Sequence, residues 1–304
     1  MLQVPHLQCH ASTLLLTPQG TQLCAFYAGP HEGHPEVSIY LSRKPPHSTW
    51  SLPVMIANGS SPDSQQPCWN PVLFQPNPNQ IILFFKIGPS VTQWTGWYSI
   101  STDDGLTWSP KAPLPQGIIG PSKNKPLMVG SRLLCPSSNE QESWRIRFEY
   151  TDNGGRTWSH TPYVGAHHLQ VIQPSIALLS DGSLIALCRS RNGYLATTRS
   201  IDSGTTWSPL QLIHMPNPNS GIDLCTLADS TLILACNPTE QQRSPLVLFK
   251  SSDNGASWQH LRKLEDDPEG EYSYPAIIAL DHHTILVSYT YRRQGIKVVA
   301  IECQ

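Results

Sequence analysis

Polar residues suited to hydrogen bonding or charge pairing with a ligand recur near the start of six similar segments of the chain. The segments begin at residues 10, 69, 124, 173, 221 and 273, so they are separated by 59, 55, 49, 48 and 52 residues. The polar residues at or beside their starts are His10, Asn70, Lys123, Lys125, Gln173 and Asp223. Ammonium groups donate to anions, while amide, imidazole and carboxylate groups can hydrogen-bond to hydroxyls. These side chains would form one polar pocket if the six segments lay side by side around an axis.

Carboxylates that could take part in acid–base chemistry lie in two further stretches. Glu32 and Glu36 fall in the loop 29–37, and Glu140 and Glu149 flank a predicted hairpin. Glycoside hydrolysis usually needs two carboxylates, or one carboxylate and a substitute nucleophile, around the scissile bond. The chain supplies enough carboxylates for that chemistry, but their spacing does not identify the working pair.

A tight turn with a fixed pattern of hydrogen-bonding residues occurs four times and indicates how such a pocket is built. The first copy is Ser101-Thr-Asp103-Asp-Gly105-Leu-Thr107-Trp108, and the others begin at residues 151, 200 and 251. In the second copy Asn153 stands in place of the Asp. The Asp or Asn side chain can bond to the backbone of the turn, and Gly supplies the positive φ. The Trp is predicted to bury its ring between neighbouring sheets, so these residues are expected to have structural roles.

The spacing of the closing tryptophans predicts the fold. They stand at positions 108, 158, 207 and 258, separated by 50, 49 and 51 residues, and Trp50 lies 58 residues before the first, behind a degraded copy of the turn. A period near 50 is typical of a propeller blade, a four-stranded sheet repeated around an axis. With the six segments above, it predicts an all-β, six-bladed propeller that occupies residues 1–304 as one domain. The six segments are then the innermost strands and line the central pocket.

Composition narrows the range of partners. The formal net charge is −2, so the chain has no basic footprint for nucleic acid. Apolar runs such as 81–85 are too short to cross a membrane. The N-terminus carries no recognisable secretory signal, which favours a cytoplasmic location.

The histidine and cysteine patterns do not predict a metal site or a disulfide framework. The adjacent pairs His167-His168 and His282-His283 would point to opposite faces of a strand, so neither pair is expected to bind a metal. The eight cysteines are scattered through apolar strand patterns, and we expect buried free thiols. We therefore expect no cofactor.

The repeated turn is similar to the Asp-box, or BNR repeat, and the whole chain resembles the sialidase superfamily of six-bladed propellers. Sialidases hold the substrate carboxylate with three arginines, because a planar guanidinium matches a carboxylate in a bidentate fork. The resemblance implies that Arg189, on the strand after Gln173, is the second of these arginines. It implies that Arg243, just before the last Asp-box, is the third, and that Tyr272 is the nucleophile.

Three positions differ from the family pattern. His10 stands where the family's first arginine is expected, and Gln173 stands where a glutamate normally takes the proton of the tyrosine. The family's acid/base aspartate belongs in the first-blade loop, which here contains Glu32, the first candidate for that role, and Glu36, the second. The remaining candidates for substrate binding are Lys123, Lys125, Asn70, Asp223 and Glu140.

The resemblance implies a sialidase-like exo-glycoside hydrolase that acts on a glycan carrying an acidic sugar. Two alternatives stay open because of these differences. One is a glycosidase or lyase for another sugar, such as a uronic-acid-containing glycan, with His10 or a glutamate as the catalyst. The other is a carbohydrate-binding propeller without chemistry.

Overall fold

The structure is a computed structural model that describes residues 1–4, 6–141, 143–165 and 168–303, and these ranges consist of strands, turns and loops. The strands of the first three sheets are β1 (Gln8–Leu16), β2 (Gln22–Gly29), β3 (Ser38–Lys44), β4 (Val54–Ala57), β5 (Cys68–Asn77), β6 (Gln80–Ile87), β7 (Thr95–Ser101), β8 (Ala112–Pro113), β9 (Leu127–Val129), β10 (Arg132–Asn139), β11 (Arg145–Thr151) and β12 (Ser159–His160). The strands of the other three are β13 (Val171–Leu178), β14 (Leu184–Ser190), β15 (Tyr194–Ser200), β16 (Gln211–Pro216), β17 (Asp223–Thr226), β18 (Leu232–Cys236), β19 (Leu246–Ser251), β20 (Gln259–Glu265), β21 (Tyr272–Ala279), β22 (Thr284–Tyr291) and β23 (Gly295–Glu302).

The six sheets are the blades of a propeller, as the repeat spacing predicts. Each sheet is an antiparallel meander of consecutive strands, with four strands in the first five blades and three in the last. First strands contact each other between the first and second, fourth and fifth, and fifth and sixth blades, whereas β10 and β11 of the third blade contact β13 of the fourth. The contact of β21 in the last blade with β1 in the first closes the ring. Outside the last sheet, Leu2 forms an antiparallel bridge with Ile296 of β23. The prediction of an all-β, six-bladed propeller is confirmed.

Bulges interrupt four of the innermost strands near their first residues. The register shifts within β1, β5, β13 and β21, and the residues with positive φ there are Ala11 (54°), Asn70 (36°), Gln173 (53°) and Tyr274 (53°). A bulge inserts an extra residue and re-aims the side chains beside it. The side chains at this end of the inner strands therefore do not follow the simple alternation of a regular strand.

The four Asp-boxes join the third and fourth strands of their blades, and their hydrogen bonds are those expected of a structural turn. Asp103 Oδ1 accepts from the backbone N–H of Thr107 at 2.9 Å, and Oδ2 accepts from its hydroxyl at 2.5 Å. Gly105 adopts a φ of 78°. The Thr107 hydroxyl and N–H, with other donors of the turn, lower the pKa of Asp103 to about 2.

The Asp-box tryptophans contact the preceding blade, as predicted. Trp207 of the fourth blade stacks on Phe148 of the third, with ring centroids 3.7 Å apart and planes at 11°. Trp158 of the third blade meets Phe84 of the second edge-on at 6.4 Å. The core therefore lies between neighbouring sheets, and each Asp-box fastens one blade to the next.

All eight cysteines are free thiols, and seven are buried, as expected. The described residues contain no helix long and apolar enough to cross a membrane. Of the adjacent histidine pairs, His282 and His283 lie in the turn before β22, whereas His167 lies outside the described residues.

Candidate functional site

The candidate site lies at the end of the propeller axis where the inner strands begin. In each blade the first strand runs away from this end of the axis and the second runs back to it, because neighbouring strands are antiparallel. The hairpins that join the second and third strands therefore lie on this same face. One of them carries Glu32, another Arg243 and a third Arg293. The opposite face carries the Asp-boxes. The topology therefore brings together, above the centre of the ring, hairpin residues that do not repeat from blade to blade.

Tyr274 occupies the middle of this site. Its hydroxyl accepts a hydrogen bond from Arg189 Nη1 at 2.9 Å and lies 3.4 Å from Gln173 Nε2. Its ring centroid is 4.1 Å from that of His10 and 5.8 Å from the guanidinium carbon of Arg243. The side chains around Tyr274 come from the first, fourth and fifth blades, so it is the meeting point of the site.

Three arginines from consecutive blades converge on this site. Arg189 ends the second strand of the fourth blade, and Arg243 and Arg293 follow the second strands of the fifth and sixth. Arg243 Nη1 and Arg293 Nε each donate to the same oxygen, Oε1 of Glu271, at 3.0 Å. Two guanidinium groups that share one carboxylate oxygen are held side by side, which is the arrangement that recognises a ligand carboxylate.

The charge of Arg189 is not neutralised in the same way. Its side chain is 5% exposed, and its partners are the neutral oxygens of Asn219 (2.9 Å), Gln173 (3.2 Å) and Tyr274. It stacks over Trp144 at 5.5 Å. Within the described part of the chain, no carboxylate forms an ion pair with it. A buried cation with only neutral partners is costly, so this position favours an anionic ligand.

Two carboxylates border the mouth of the pocket. Glu32 Oε2 accepts from Arg293 Nη1 at 2.6 Å, and its Oε1 accepts from the Tyr27 hydroxyl at 2.5 Å. Although burial opposes ionisation of Glu271, the neighbouring Arg293 and Arg243 lower its pKa. Burial likewise works against the charge of Arg293, but Glu32 and Glu271 raise its pKa above the ordinary value. Three arginines thus face these two carboxylates, and a further carboxyl group, that of Glu140, lies near Arg189.

His10 and Lys123 lie below this layer, and both are buried. The ring of His10 bonds through Nδ1 to the Thr290 hydroxyl at 2.8 Å. Burial, together with the surrounding arginines and Lys123, holds the pKa of His10 well below its usual range, so the imidazole is neutral. It therefore lies among the arginines of the site without adding a positive charge.

Lys123 does not bind a ligand as predicted, because the protein itself uses all three of its donors. Nζ donates to Asn124 Oδ1 (2.8 Å) and to the backbone oxygens of Ile222 (2.9 Å) and Pro275 (2.6 Å). Burial lowers its pKa to about 7. Lys123 ties the third, fifth and sixth blades together at the axis.

The prediction that Tyr272 is the nucleophile is wrong in its geometry. Tyr272 is 1% exposed and packs in the apolar core between the fifth and sixth blades, with Ile277 and Tyr289 among its neighbours. The bulge in β21 follows immediately, and it brings Tyr274 rather than Tyr272 to the axis.

Lys125 and Asp223 satisfy each other rather than a ligand. Lys125 Nζ lies 2.6 Å from Asp223 Oδ2, which also accepts from the backbone N–H of Ile277 at 2.8 Å. The other oxygen of Asp223 accepts from the Ser175 hydroxyl at 2.7 Å. The pair therefore joins residues of the third to sixth blades, and the given contacts of both side chains are within the protein.

Asn70 and Glu36 are also outside the pocket. Asn70 Nδ2 donates to the backbone oxygen of Ser122 at 3.0 Å and links the second blade to the third. Glu36 is exposed on its loop, where its backbone N–H donates to His34 Nδ1 at 3.2 Å. Of the two first-blade glutamates, only Glu32 reaches the arginines.

Gln173 and Glu140 are placed as the polar-pocket prediction expects. Gln173 Nε2 lies 3.4 Å from Glu140 Oε1, so Glu140 is one side chain removed from Tyr274. Burial raises the pKa of Glu140. Glu149, by contrast, is fully buried in an ion pair with Arg147 at 2.6 Å and accepts from the backbone of Gly120. Glu140 therefore lies in the candidate site, whereas Glu149 has a structural role.

Sequence reasoning missed Tyr274 and Arg293, and both carry a signal in the chain. Tyr274 precedes a proline, as Asn70 and Gln173 do, and these three residues share a positive φ at their bulges. Alignment on the residue before proline would have placed Tyr274 at the axis. Arg293 follows the second strand of its blade, as Arg243 does, but the repeat is too weak there to show it.

The repeat and the arrangement of blades have matches among known proteins. The family model described as "BNR repeat-like domain" matches residues 20–287. The chain belongs to this family. A related curated protein, an anhydrosialidase of Macrobdella decora, is 33% identical over 103 residues, which are 31% of this chain and 13% of that protein. The match therefore spans a small part of that relative's length.

Solved structures show the same propeller as this BNR repeat-like chain at low identity. A protein of unknown function from Dyadobacter fermentans is 15% identical with a TM-score of 0.82, and the match covers 100% of this chain and 97% of that one. The Hadza microbial sialidase Hz136 is 15% identical with a TM-score of 0.81, over 97% of this chain and 66% of that one. The intramolecular trans-sialidase from Ruminococcus gnavus is 14% identical with a TM-score of 0.77, over 97% and 94%. These likenesses establish the fold.

Proposed function

We propose that the axial pocket binds an acidic sugar and that the protein is a sialidase-like glycoside hydrolase. The observation that carries the proposal is the buried Arg189 guanidinium, which has neutral partners in the described structure and lies beside the Tyr274 hydroxyl. A ligand carboxylate would neutralise this cation and accept charge-assisted hydrogen bonds. The sialidases and trans-sialidase named among the structural relatives support the same ligand class.

The position of Tyr274 favours one class of acidic sugar over another. In an ulosonic acid such as a sialic acid, the carboxylate is attached to the anomeric carbon itself. A carboxylate bound by Arg189 would then bring the anomeric carbon next to Tyr274 Oη, which is 2.9 Å from Arg189. In a hexuronic acid the carboxylate is on the opposite side of the ring oxygen, and the same contact would leave the anomeric carbon away from Tyr274.

In this reaction a protonated glutamate gives its proton to the glycosidic oxygen as the bond from that oxygen to the anomeric carbon breaks, and the Tyr274 hydroxyl oxygen stabilises the positive charge that develops on that carbon. A water molecule then adds to the anomeric carbon and returns a proton to the glutamate, so Tyr274 keeps its own proton throughout. A neutral phenol suits this role because a carboxylate nucleophile would be repelled by the charge of the sugar. Glu32 is the glutamate at the mouth on the loop where a proton donor is expected. Its contact with Tyr27 and Arg293 fixes its carboxyl group over the pocket.

A second function is supported by Gln173, namely sugar binding without turnover. Gln173 stands where a glutamate would accept the proton of the tyrosine, and an amide is not a base at neutral pH. In the described structure the Tyr274 hydroxyl contacts Gln173 and Arg189 but no carboxylate. This arrangement recognises an acidic sugar whether or not the bond is cleaved.

The test is turnover of an aryl sialoside together with calorimetric binding of sialic acid. We expect Tyr274→Phe to remove turnover while binding persists, because the change deletes one oxygen and keeps the ring. Tyr272→Phe is the matched control, and it should leave turnover unchanged since Tyr272 is buried outside the pocket. Binding of sialic acid without turnover in the wild type would select the second function. Failure to bind any acidic sugar would contradict both.

A further inference from the structure

Three boundaries between neighbouring blades are closely packed on the Asp-box face. At each of them the Asp-box glycine lies against an apolar side chain from the second strand of the preceding blade. A Cβ atom added to the glycine would meet that side chain at 3.1 Å for Gly105 with Leu23, 2.6 Å for Gly204 with Leu134 and 2.8 Å for Gly255 with Ile185. The glycine therefore allows a close approach of the two blades as well as a positive φ.

An arginine of the preceding blade adds a polar contact at the same three boundaries. Arg43 forms an ion pair with Asp104 at 2.9 Å, Arg132 Nη1 donates to the Ser203 backbone oxygen at 3.4 Å, and Arg199 Nη2 donates to the Asn254 backbone oxygen at 2.6 Å. Asp104, Ser203 and Asn254 hold one position of the Asp-box, directly before its glycine. Each arginine thus fastens the turn of one blade to the blade before it.

The boundary between the second and third blades lacks both contacts among the described residues. Its Asp-box has Gly154 at the position that the arginines contact elsewhere, and Ile100 stands where the first and fourth blades have an arginine. A Cβ atom added to Gly155 would meet only Trp158, at 3.8 Å. The apolar side chain at the matching place in the second blade, Ile82, does not reach that glycine.

A cavity of about 310 Å³ lies at this boundary, and we call it the blade 2–3 cavity. Its volume is at the lower end of the range for small-molecule sites. Its walls include Ile82, Phe84, Tyr98, Ile100 and Trp158, and none of the described residues that line it carries a charge. The cavity therefore suits a compact neutral molecule.

The surroundings of Tyr98 indicate the shape of that molecule. Tyr98 lies three residues before the Asp-box of its blade, as Phe148 does in the third blade, where Trp207 stacks on it at 3.7 Å. Among the described residues no ring stacks on Tyr98 in this way, because Trp158 meets Phe84 edge-on at 6.4 Å instead. A planar ring in the cavity would hold on Tyr98 the position that Trp207 holds on Phe148.

The surface around the cavity favours a small molecule over a protein chain. A stable protein interface needs about 800 Å² of surface from each partner. The exposed large apolar side chains of the Asp-box turns, Leu106 and Ile201, belong to the second and fourth blades and lie outside the cavity lining. The cavity is therefore a separate recess and not the centre of a wider apolar patch.

We infer that the blade 2–3 cavity binds a neutral planar aromatic molecule, stacked on Tyr98, on the face opposite the axial pocket. The bound ring would contact both blades and supply the packing that the other three boundaries obtain from the chain itself. This site does not depend on the acidic-sugar function proposed above.

The test is calorimetry with indole as the probe. We expect a Kd on the order of 1 mM, as for a small apolar molecule held in one pocket. Tyr98→Leu keeps an apolar side chain but removes the stacking surface, and it should weaken indole binding about fivefold. Thr197→Ala, at the matching position of the fourth blade, is the control and should leave the affinity unchanged. Equal affinity in Tyr98→Leu and the wild type would overturn the inference.

A second variant rebuilds the missing contact. Ile100→Arg combined with Gly154→Asp places at this boundary the ion pair that Arg43 and Asp104 form at 2.9 Å. We expect this variant to bind indole more weakly than the wild type, because the two side chains would cross the opening of the cavity. Undiminished binding in a variant that denaturant titration shows to be folded would count against the site.

Nuclear magnetic resonance of the wild type locates the bound indole without relying on a variant fold. The side-chain N–H signal of Trp158, assigned with Trp158→Phe, should shift as indole is added. The signal of Trp207 is the matched reference and should stay in place, because its ring is stacked on Phe148 and its N–H donates to the Gly204 backbone oxygen at 3.1 Å. A Trp158 signal that does not move up to about 10 mM indole, tenfold above the expected Kd, would refute the proposed site.

Discussion

Both faces of this propeller carry carboxylates and aromatic rings, but the two faces use these residues differently. On the Asp-box face the same residues recur in blade after blade, and the acid at the repeated position is engaged by its own turn, as Asp103 is by Thr107. On the axial face the hairpins share no sequence, and the charges are completed across blades, as between Glu32 and Arg293. Repetition therefore marks the residues that build each blade, and departure from repetition marks those that meet in the centre.

The contrast extends to how each face treats charge. Exposed turn acids such as Asp202 have their pKa lowered to about 2, by the Thr206 hydroxyl and N–H first. On the axial face, burial raises the pKa of Glu140 although the charge of Arg189 works against that rise, and the hydrogen-bond partners of Arg189 are neutral. A turn that satisfies its own acid gains stability from it, whereas a buried cation without an anion lowers stability until a ligand arrives. The second arrangement is what a binding site requires.

The largest expected effect belongs to the Asp-box face. Trp207→Ala removes the ring that stacks on Phe148 at 3.7 Å and leaves a void between the third and fourth blades. We expect the free energy of unfolding to fall by about 3 kcal/mol, the lower end of the range for loss of a large aromatic ring. Denaturant titration measures the loss, and calorimetry should show the affinity of the folded protein for an acidic sugar unchanged. A variant that unfolds normally but loses the ligand would reverse the assignment of the two faces.

The next largest effect is expected on the axial face, where a substitution should weaken ligand binding and not stability. Arg189→Met removes a buried cation with neutral partners while keeping an unbranched apolar stem. We expect affinity for sialic acid to fall by about 2 kcal/mol, the value of a charge-assisted hydrogen bond. The free energy of unfolding should change little, since no carboxylate in the described structure forms an ion pair with Arg189 and only its longer-range attraction to Glu140 is lost.

Arg147→Met is the matched control for that experiment. Its partner Glu149 is 0% exposed and would keep the backbone donors Ile119 and Gly120 while losing its ion pair. We expect a loss of about 2 kcal/mol in the free energy of unfolding, below the usual cost of an orphaned buried charge because those donors remain. Equal destabilisation by Arg189→Met would mean that Arg189 is a structural cation like Arg147.

The same contrast explains what could be predicted from the sequence. The blades and the Asp-box roles follow from a period near 50, because each copy repeats the same local hydrogen bonds and can be checked against the others. Arg189 and Arg243 were placed by resemblance and do meet at the axis. Tyr274 was missed because the bulge in β21 shifts the side-chain alternation, and a bulge occurs too locally for a repeat to show.

Lys123 and Asp223 show a second reason why site residues could not be predicted from the sequence. Both are polar residues at the starts of inner strands, and both were predicted to bind substrate. Whether such a residue faces a ligand or a neighbouring strand depends on contacts from distant blades, such as Pro275 with Lys123 and Ile277 with Asp223. These contacts join residues more than 50 positions apart, so local sequence does not reveal them.

The smallest expected effect tests whether the Asp-box needs its charge or only its shape. In the third blade Asn153 already fills the acid's position, accepting from the Thr157 N–H at 3.0 Å and donating to its hydroxyl at 2.8 Å. Asp103→Asn should therefore cost less than about 1 kcal/mol at pH 7, because solvent screens the partly exposed charge. The turn donors lower the pKa of Asp103 to about 2 from 3.8, so the acid's contribution is present above pH 4 and is lost as the pH falls toward 2. Urea titrations of both proteins between pH 7 and pH 2.5 should show the difference in unfolding free energy shrinking over that lower interval, while exposed Asp63→Asn shows no difference at pH 7. A difference that stays constant down to pH 2.5 would mean that the turn depends on the geometry of the side chain and not on its charge.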